Sequence, residues 1–298
     1  MSNELLSPAL RALEAAWALL EPRARCAPCE AIFDAVSPVV GEDTAGAWLD
    51  TWGARASRPR ALDVDEGVDV LLALSERKRH GIFFTPRPLA LAMARRVGTR
   101  ASGGPIVDLS AGDGALLAAA IEVHPGASVV GVERDPSLGV MCAVRLLYAR
   151  HETTTRGTGA ARADRVIVGD GLTLRDELIG RAGACLANPP YLGEKGNREV
   201  FAEIRRAHPD LAQRMRARTD LFYLFLHRAL DVLEVGAPLV ALTSAYWMQA
   251  TGAAELRRDV MERASPELLV SLEGTGVFSG APSQHSAIVV ARRGRSAT

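Results

Sequence analysis

From residue 104 onward the chain alternates short β-branched runs with helical stretches, and that alternation leaves few folds open. Seven runs read as strands: PIVDLS (105–110), SVVGVE (128–133), RVIVGD (165–170), ACLAN (184–188), PLVALTS (238–244), ELLVSL (267–272) and SAIVVARR (286–293). Helical spacing falls between them, for instance at 114–122, 137–150, 220–234 and 251–264. Strands separated by helices pair mostly in parallel and bury both sheet faces. The sequence therefore predicts an α/β domain over 79–298 with a seven-stranded, mostly parallel sheet. Ligands of such sheets sit beyond the carboxyl ends of the strands. HETTTRGTGAAR at 151–162 reads as a surface loop.

Residues 1–78 read differently. Apolar positions recur at helical spacing in 5–20, 30–50 and 62–75, without a strand signal, which predicts a small N-terminal helical domain. Over 1–80, nine Lys/Arg stand against thirteen Asp/Glu, a balance of minus four. Modules that read DNA are usually basic, so this part reads as a lid, a brace or a subunit contact. LEAAWALLE at 13–21 is too short to span a bilayer and is flanked by acids, unlike a signal peptide. A cytoplasmic protein with no membrane partner is expected. Cys26 and Cys29 form a C-A-P-C pair, but no second pair or nearby histidine completes a zinc site, so no metal is expected.

The run IVDLSAGDGALLAA (106–119) reads as a strand, a glycine turn and a helix start. Gly112 and Gly114 allow a sharp turn and close approach to a ligand. Glu133 ends the next strand nineteen residues after Gly114, where a carboxylate can accept from both ribose hydroxyls of a nucleoside. The third glycine of dinucleotide binders is missing, and Asp108 stands where it would repel a pyrophosphate. An acid there suits a ligand with a positive amino group and a sulfonium, namely S-adenosylmethionine. Asp170, closing the third strand, could accept from an adenine amino group. The alternative, in which each acid only caps the helix that follows, stays open.

LANPPYLGEKGN (186–197) is the second unusual stretch. Each proline holds the residue before it extended, so Asn188 and Pro189 are both fixed. Neither proline has an N–H to donate. The side-chain oxygen of Asn188 and the carbonyl of Pro189 can then point past the strand end as two rigid acceptors. An aromatic amine is a poor nucleophile because its lone pair is delocalised into the ring. Acceptors that grip its two hydrogens favour a tetrahedral nitrogen and hold the developing positive charge, without a general base. Tyr191 would lie against the flat ring. A plain Pro-Pro turn leaving a central strand remains the alternative.

With these motifs in place, the chain resembles the gamma-type amino-group methyltransferases that act on adenine N6 in DNA, especially the methylase parts of restriction-modification enzymes. The resemblance covers about 78–293. GIFFTP (81–86) is similar to the segment before the sheet, by the cofactor's methionine end, and implies cofactor contacts at Phe84, Thr85 and Pro86. Thr85 also reads as an N-cap with Pro86 at the first helical position. VDLSAGDG, GVERDP and VGDG are similar to the three cofactor motifs and imply contacts at Asp108, Ser110, Gly112, Gly114, Glu133, Arg134, Asp170 and Gly171, with Asn188 beside them. ANPPY is similar to the catalytic motif and implies roles for Asn188, Pro189, Pro190 and Tyr191. NREVFAEI, DLFYLFLHRALDVL and LTSAYWMQATGAAELRRDV are similar to the segments that follow. GVFSGAPSQHSAIVV is similar to the last, where the family's aromatic, here Phe278, packs on the extruded base. The resemblance implies a Rossmann-like class I fold, S-adenosylmethionine as cofactor and S-adenosylhomocysteine as product. Leu109 stands where the family usually has proline, and LEVGAP replaces its common K-P-G-G turn. Family members that read DNA carry a target-recognition domain after the last strand, which this chain, ending at Thr298, is expected to lack.

Duplex adenine must be flipped out to reach such a site. Formal net charge is zero, so attraction to a polyanion must come from local clustering. Between Glu194 and Arg218, seven Lys/Arg (Lys195, Arg198, Arg205, Arg206, Arg214, Arg216, Arg218) stand against four acids (Glu194, Glu199, Glu203, Asp210), an excess of three. Lys195 is the expected phosphate or substrate contact, together with Tyr191 and Phe278. Three readings follow: a DNA adenine methyltransferase whose specificity comes from a separate subunit, a second copy or the N-terminal helices; an N-methyltransferase of the same lineage acting on a small molecule, a peptide or RNA; and a subunit that keeps the fold without catalysis.

Overall fold

The computed structural model describes residues 85–98, 103–157, 163–275 and 285–294. The helical reading of 1–78, the Cys26 and Cys29 pair, and the expected site residues Phe84 and Phe278 lie outside them. Helix α1 (Arg87–Arg96) precedes β1 (Ile106–Asp108), α2 (Ala115–Val123), β2 (Val129–Glu133), α3 (Pro136–Thr155), β3 (Arg165–Val168), α4 (Asp176–Ile179) and β4 (Ala184–Ala187). Then come α5 (Arg198–Ala207), α6 (Pro209–Ala212), α7 (Leu221–Val232), β5 (Pro238–Ser244), α8 (Ala254–Arg263), β6 (Ala264–Ser271) and β7 (Ser286–Arg293).

The strands form one seven-stranded sheet in the order β3-β2-β1-β4-β5-β7-β6. Pairs from β3 to β5 are parallel, and β7 runs antiparallel to both of its neighbours. The expected mostly parallel α/β sheet is the one that forms. Side chains alternate along each strand, so Ile106, Ala184, Leu186, Val240 and Leu242 meet α1, α2 and α3 on one face. Val107, Cys185, Ala187, Leu239 and Ala241 meet α4 to α8 on the other. Because both faces are covered, the central strands read as nearly continuous apolar runs. Among the described residues no helix is long and apolar enough to cross a membrane.

Two boundaries differ from expectation. Strand β6 begins at Ala264, three residues before the expected start, and α8 runs straight into it. Pro266 is tolerated because β6 is an edge strand, and the register shifts between Pro266 and Leu268. Helix α3 continues to Thr155, so the first five residues of the expected 151–162 loop are helical. Polar threonines suggest a loop, but here Thr153 and Thr154 donate to the Arg150 carbonyl and Thr155 to that of His151.

Arg150 fastens that end of α3 to the sheet. Its guanidinium donates to Asp164 at 2.8 and 2.9 Å, to the Pro125 carbonyl at 2.6 Å and to the Ala127 carbonyl at 2.7 Å. Asp164 in turn accepts from the Val129 amide at the start of β2. Removing one member of a buried pair leaves the other charge without compensation, which costs about 3–5 kcal/mol. Arg150→Met should therefore lower the thermal midpoint by on the order of 10 °C, read by calorimetry. A midpoint shift within one degree would remove this role.

Candidate active site

Asp170, Glu133, Asp108 and Asn188 stand at the carboxyl ends of β3, β2, β1 and β4, four strands that lie side by side in that order. Asp108 is level with Gly131, and Glu133 with Val168, so the ends form one edge. Between β1 and β4 the order reverses. The chain leaves β1 toward α2 on one face and β4 toward α5 on the other, which opens a crevice at the switch point.

The three acids make the same local bond. Asp108 accepts from the Ser110 amide at 3.0 Å, Glu133 from Asp135 at 2.8 Å and Asp170 from Leu172 at 2.9 Å. These bonds turn the chain at each strand end, as Asx-type turns do. They do not cap the helices that follow: α2 starts from Gly114 and α4 from Arg175, neither with a side-chain cap. The second oxygen of Glu133 accepts from the Gly112 amide at 2.8 Å and locks the glycine turn to the end of β2. Among the described residues none of the three acids forms an ion pair with Arg or Lys, whereas nearby Asp113 pairs with Arg145 at 3.0 Å. Since a carboxylate has room for about four acceptor contacts, this row suits a donor-rich, positively charged ligand.

Two glycines are set by close packing. Gly114 has φ of +83°, and a Cβ there would stand 2.8 Å from Cys142 Sγ and 3.1 Å from its Cα. Its demand comes from α3 rather than from ligand approach. A Cβ at Gly171 would lie 1.9 Å from the Leu109 carbonyl oxygen, so the turn after β3 rests directly on the residue after β1. Leu109, at the position where proline is usual, is buried there. Ser110 is half-buried and Arg134 exposed at the same edge.

Burial pushes the Asp108 carboxyl up to about 7, opposed by the Ser110 amide and reinforced by Glu133 and Asp113. Burial also raises Glu133, against the amides of Asp135 and Gly112. A raised acid is ionised only above its shifted value, and a cationic ligand binds the ionised form. Affinity for S-adenosylmethionine should therefore rise with pH through about 7, by roughly tenfold from pH 6 to pH 8, with a proton released on binding. Calorimetry in buffers of different ionisation enthalpy reads both effects. Asp108→Asn should flatten the profile, and a wild-type affinity independent of pH would contradict the assignment.

Asn188 follows β4 directly. Its Nδ2 donates to Thr85 Oγ1 at 3.0 Å, and the Tyr191 hydroxyl lies 3.5 Å from its Oδ1 while donating to the Leu242 carbonyl at 3.0 Å. Pro189 is buried and Pro190 half-buried. Burial, and then the charge of Asp220, hold the Tyr191 hydroxyl above its ordinary range, so it stays a donor. The Tyr191 ring is tilted against Phe222 with centroids 5.4 Å apart. The expected cap at Thr85 does not form. Helix α1 starts at Arg87 with Pro86 in the cap position and no side-chain bond, because the Thr85 hydroxyl is engaged by Asn188 across the sheet.

Asp220 is a residue that sequence reasoning missed. It caps α7 through the Phe222 amide and accepts from the Leu192 amide at 3.1 Å, just after the Pro-Pro turn. With the bonds from Leu221 to Leu192 and from Glu194 to Thr219, it closes the excursion that carries α5 and α6. An aspartate directly before LFYLFL was a legible cap signal.

The same excursion holds the basic residues. Arg205 pairs with Glu194, Arg214 with Asp231 and Arg216 with Glu255, at 2.5 to 2.7 Å. Asp231 and Glu255 lie outside the counted stretch, and each is shared with an arginine that also lies outside it, Asp231 with Arg263 and Glu255 with Arg258, so these pairs engage the bases without cancelling the excess of three. Lys195, Arg198, Arg206 and Arg218 have no ion-pair partner among the described residues, and Lys195 and Arg198 are exposed.

This topology, with its row of strand-end acids, defines the class I S-adenosylmethionine-dependent methyltransferase fold. A Listeria monocytogenes protein assigned to that class shares it, with a TM-score of 0.56 and 14% identity over 100% of this chain and 90% of its own. A methyltransferase subunit of a type I restriction-modification system from Streptococcus thermophilus also superposes, with a TM-score of 0.57 and 14% identity over 86% of this chain and 55% of its own. Residues 183–278, which include the Asn188–Tyr191 turn, match the model of the Eco57I restriction-modification methylase family. The Type II methyltransferase M.XamI of Xanthomonas campestris pv. amaranthicola is 28% identical over 202 residues, 66% of this chain. Over these residues the chain is thus similar to restriction-modification methylases, as the motifs implied. The match spans 36% of M.XamI's length.

Proposed function

We propose that the chain transfers a methyl group from S-adenosylmethionine to the N6 amino group of adenine in DNA. The observation that carries the reading is the row Asp170, Glu133, Asp108, Asn188 along four neighbouring strand ends. Asp170 would accept from the cofactor's adenine, Glu133 would hold the ribose hydroxyls, and Asp108 would face the methionine end, with Ser110, Gly112, Gly114, Gly171, Arg134, Thr85 and Pro86 around them. When bound, the cofactor supplies an electrophilic methyl group on a sulfonium. The chain's own part is orientation: Asn188 Oδ1 and the Pro189 carbonyl accept the two amine hydrogens, Pro190 keeps the turn extended, and Tyr191 packs beside the base. The nitrogen would take the methyl group as the sulfonium's bond to it breaks, S-adenosylhomocysteine would leave, and the surplus amine proton would pass to water, since no general base is required for the nitrogen to attack.

Kinship with restriction-modification methylases favours DNA as the acceptor, reached by base flipping, with a separate specificity subunit or a second copy supplying sequence recognition. One observation favours a second reading, methylation of nitrogen in a small molecule, peptide or RNA: Arg205, Arg214 and Arg216, three of the seven bases after the Pro-Pro turn, are engaged in internal ion pairs. Plasmid DNA from a host expressing the protein, alone and with its genomic neighbours, should contain N6-methyladenine by mass spectrometry of nucleosides. Unmodified DNA in every case would reject the first reading and leave the second.

A further inference from the structure

We infer that Thr85 is a positioning residue for the transfer, acting through Asn188 and separable from any part it plays in holding the cofactor. The inference rests on the reading of Asn188 given above. A carboxamide has an oxygen end and an amine end, and only the oxygen end can grip an acceptor amine. Rotation by half a turn would present N–H groups to N–H groups. Asn188 Nδ2 donates to the Thr85 hydroxyl at 3.0 Å, while Oδ1 stands 3.5 Å from the Tyr191 hydroxyl. The amine end of the amide is therefore held by Thr85, which sets the plane and leaves the oxygen end facing the turn. Thr85 is itself fixed: it is 6% exposed and enters α1, whose Leu89, Ala90, Met93 and Ala94 are buried against the sheet. The contact spans 103 residues of sequence, so the hydroxyl is placed by the fold rather than by a local turn. A side chain locked by packing is what keeps a catalytic group in register.

Thr85→Val keeps the shape and removes the hydroxyl, and Thr85→Ser keeps the hydroxyl. In single-turnover and steady-state assays with saturating cofactor, Thr85→Val should lose roughly 10- to 100-fold in kcat, the cost of a misplaced reacting group. Its dissociation constant for S-adenosylmethionine should stay within about threefold of wild type, and Thr85→Ser should recover most of the rate. A Thr85→Val enzyme with wild-type kcat, or one whose loss is matched by weaker cofactor binding and vanishes at saturation, would overturn the inference. A second measurement needs no turnover. In protein labelled with 15N at asparagine, the Asn188 side-chain amide signals should shift in Thr85→Val and hold in Thr85→Ser, with Asn188→Ala giving the assignment. Identical signals in wild type and Thr85→Val would overturn the inference as well. If the wild type methylates no adenine yet these signals respond to Thr85→Val, the DNA reading fails and the positioning contact stands. If it methylates adenine and both measurements ignore Thr85, only this inference fails.

Discussion

Asn188→Ala should lower methyl transfer by roughly 10²- to 10³-fold or more, because it deletes one of two fixed acceptors aimed at developing charge. Its affinity for S-adenosylmethionine should change by less than about threefold, since in the proposed reading Asn188 stabilises the reacting nitrogen rather than the bound cofactor. The fold should survive, as Asn188 is half-buried at a strand end and its side-chain amide bonds to the Thr85 hydroxyl. Asn188→Asp makes a sharper variant: it keeps an acceptor at the same place but loses the donor to Thr85. Intermediate activity there would fit an acceptor role, and full activity in Asn188→Ala would not.

Glu133→Ala should act on the other side of the site. One carboxylate oxygen holds the Gly112 amide at 2.8 Å and the other the Asp135 amide at 2.8 Å. Its loss removes the proposed ribose contact and also frees the glycine turn. Charge-assisted hydrogen bonds contribute about 1.5–3 kcal/mol each, so affinity for S-adenosylmethionine and S-adenosylhomocysteine should fall by roughly 10- to 150-fold. At saturating cofactor kcat should recover to within about tenfold of wild type, because the amine-gripping groups remain. Titration calorimetry separates the two variants: Asn188→Ala binds and does not turn over, Glu133→Ala turns over and binds poorly. A reversed pattern would require the two residues to exchange roles.

Much of this site can be read before any fold is known, for a physical reason. A buried parallel strand is an apolar run, so a polar residue at its end stands out. Asp108, Glu133 and Asn188 were found that way, and the rows of the sheet bring them to one edge. What could not be read is carried by distant contacts. The contact of Thr85 with Asn188 crosses 103 residues, and no periodicity announces it. The ion pair of Arg216 with Glu255, 39 residues apart, draws one arginine of the expected basic patch into an internal contact. Charge counted along a stretch of chain overlooks partners that packing delivers from elsewhere. The start of β6 was missed because Pro266 argues against a central strand, and only the sheet order shows that this strand lies on the edge. Gly114 was read as room for a ligand, when the nearest demand on it is Cys142.

The two halves of the site also differ in how they are held. The acids of β1, β2 and β3 are tied by short-range backbone bonds, which would leave the cofactor edge formed in the absence of ligand. Asn188 is tied by the side chain of Thr85, just before α1, and lies beside Tyr191 of the turn itself, so its orientation answers to changes at Thr85, at Tyr191 and, through the Leu192 amide, at Asp220.

The most direct test of the whole account is to incubate the purified protein with methyl-tritiated S-adenosylmethionine and unmethylated genomic DNA, then digest the DNA and separate its nucleosides. The account predicts label in N6-methyl-2′-deoxyadenosine and none when Asn188→Ala replaces the wild type. Label in C5-methylcytosine, or undiminished label with Asn188→Ala, would contradict it.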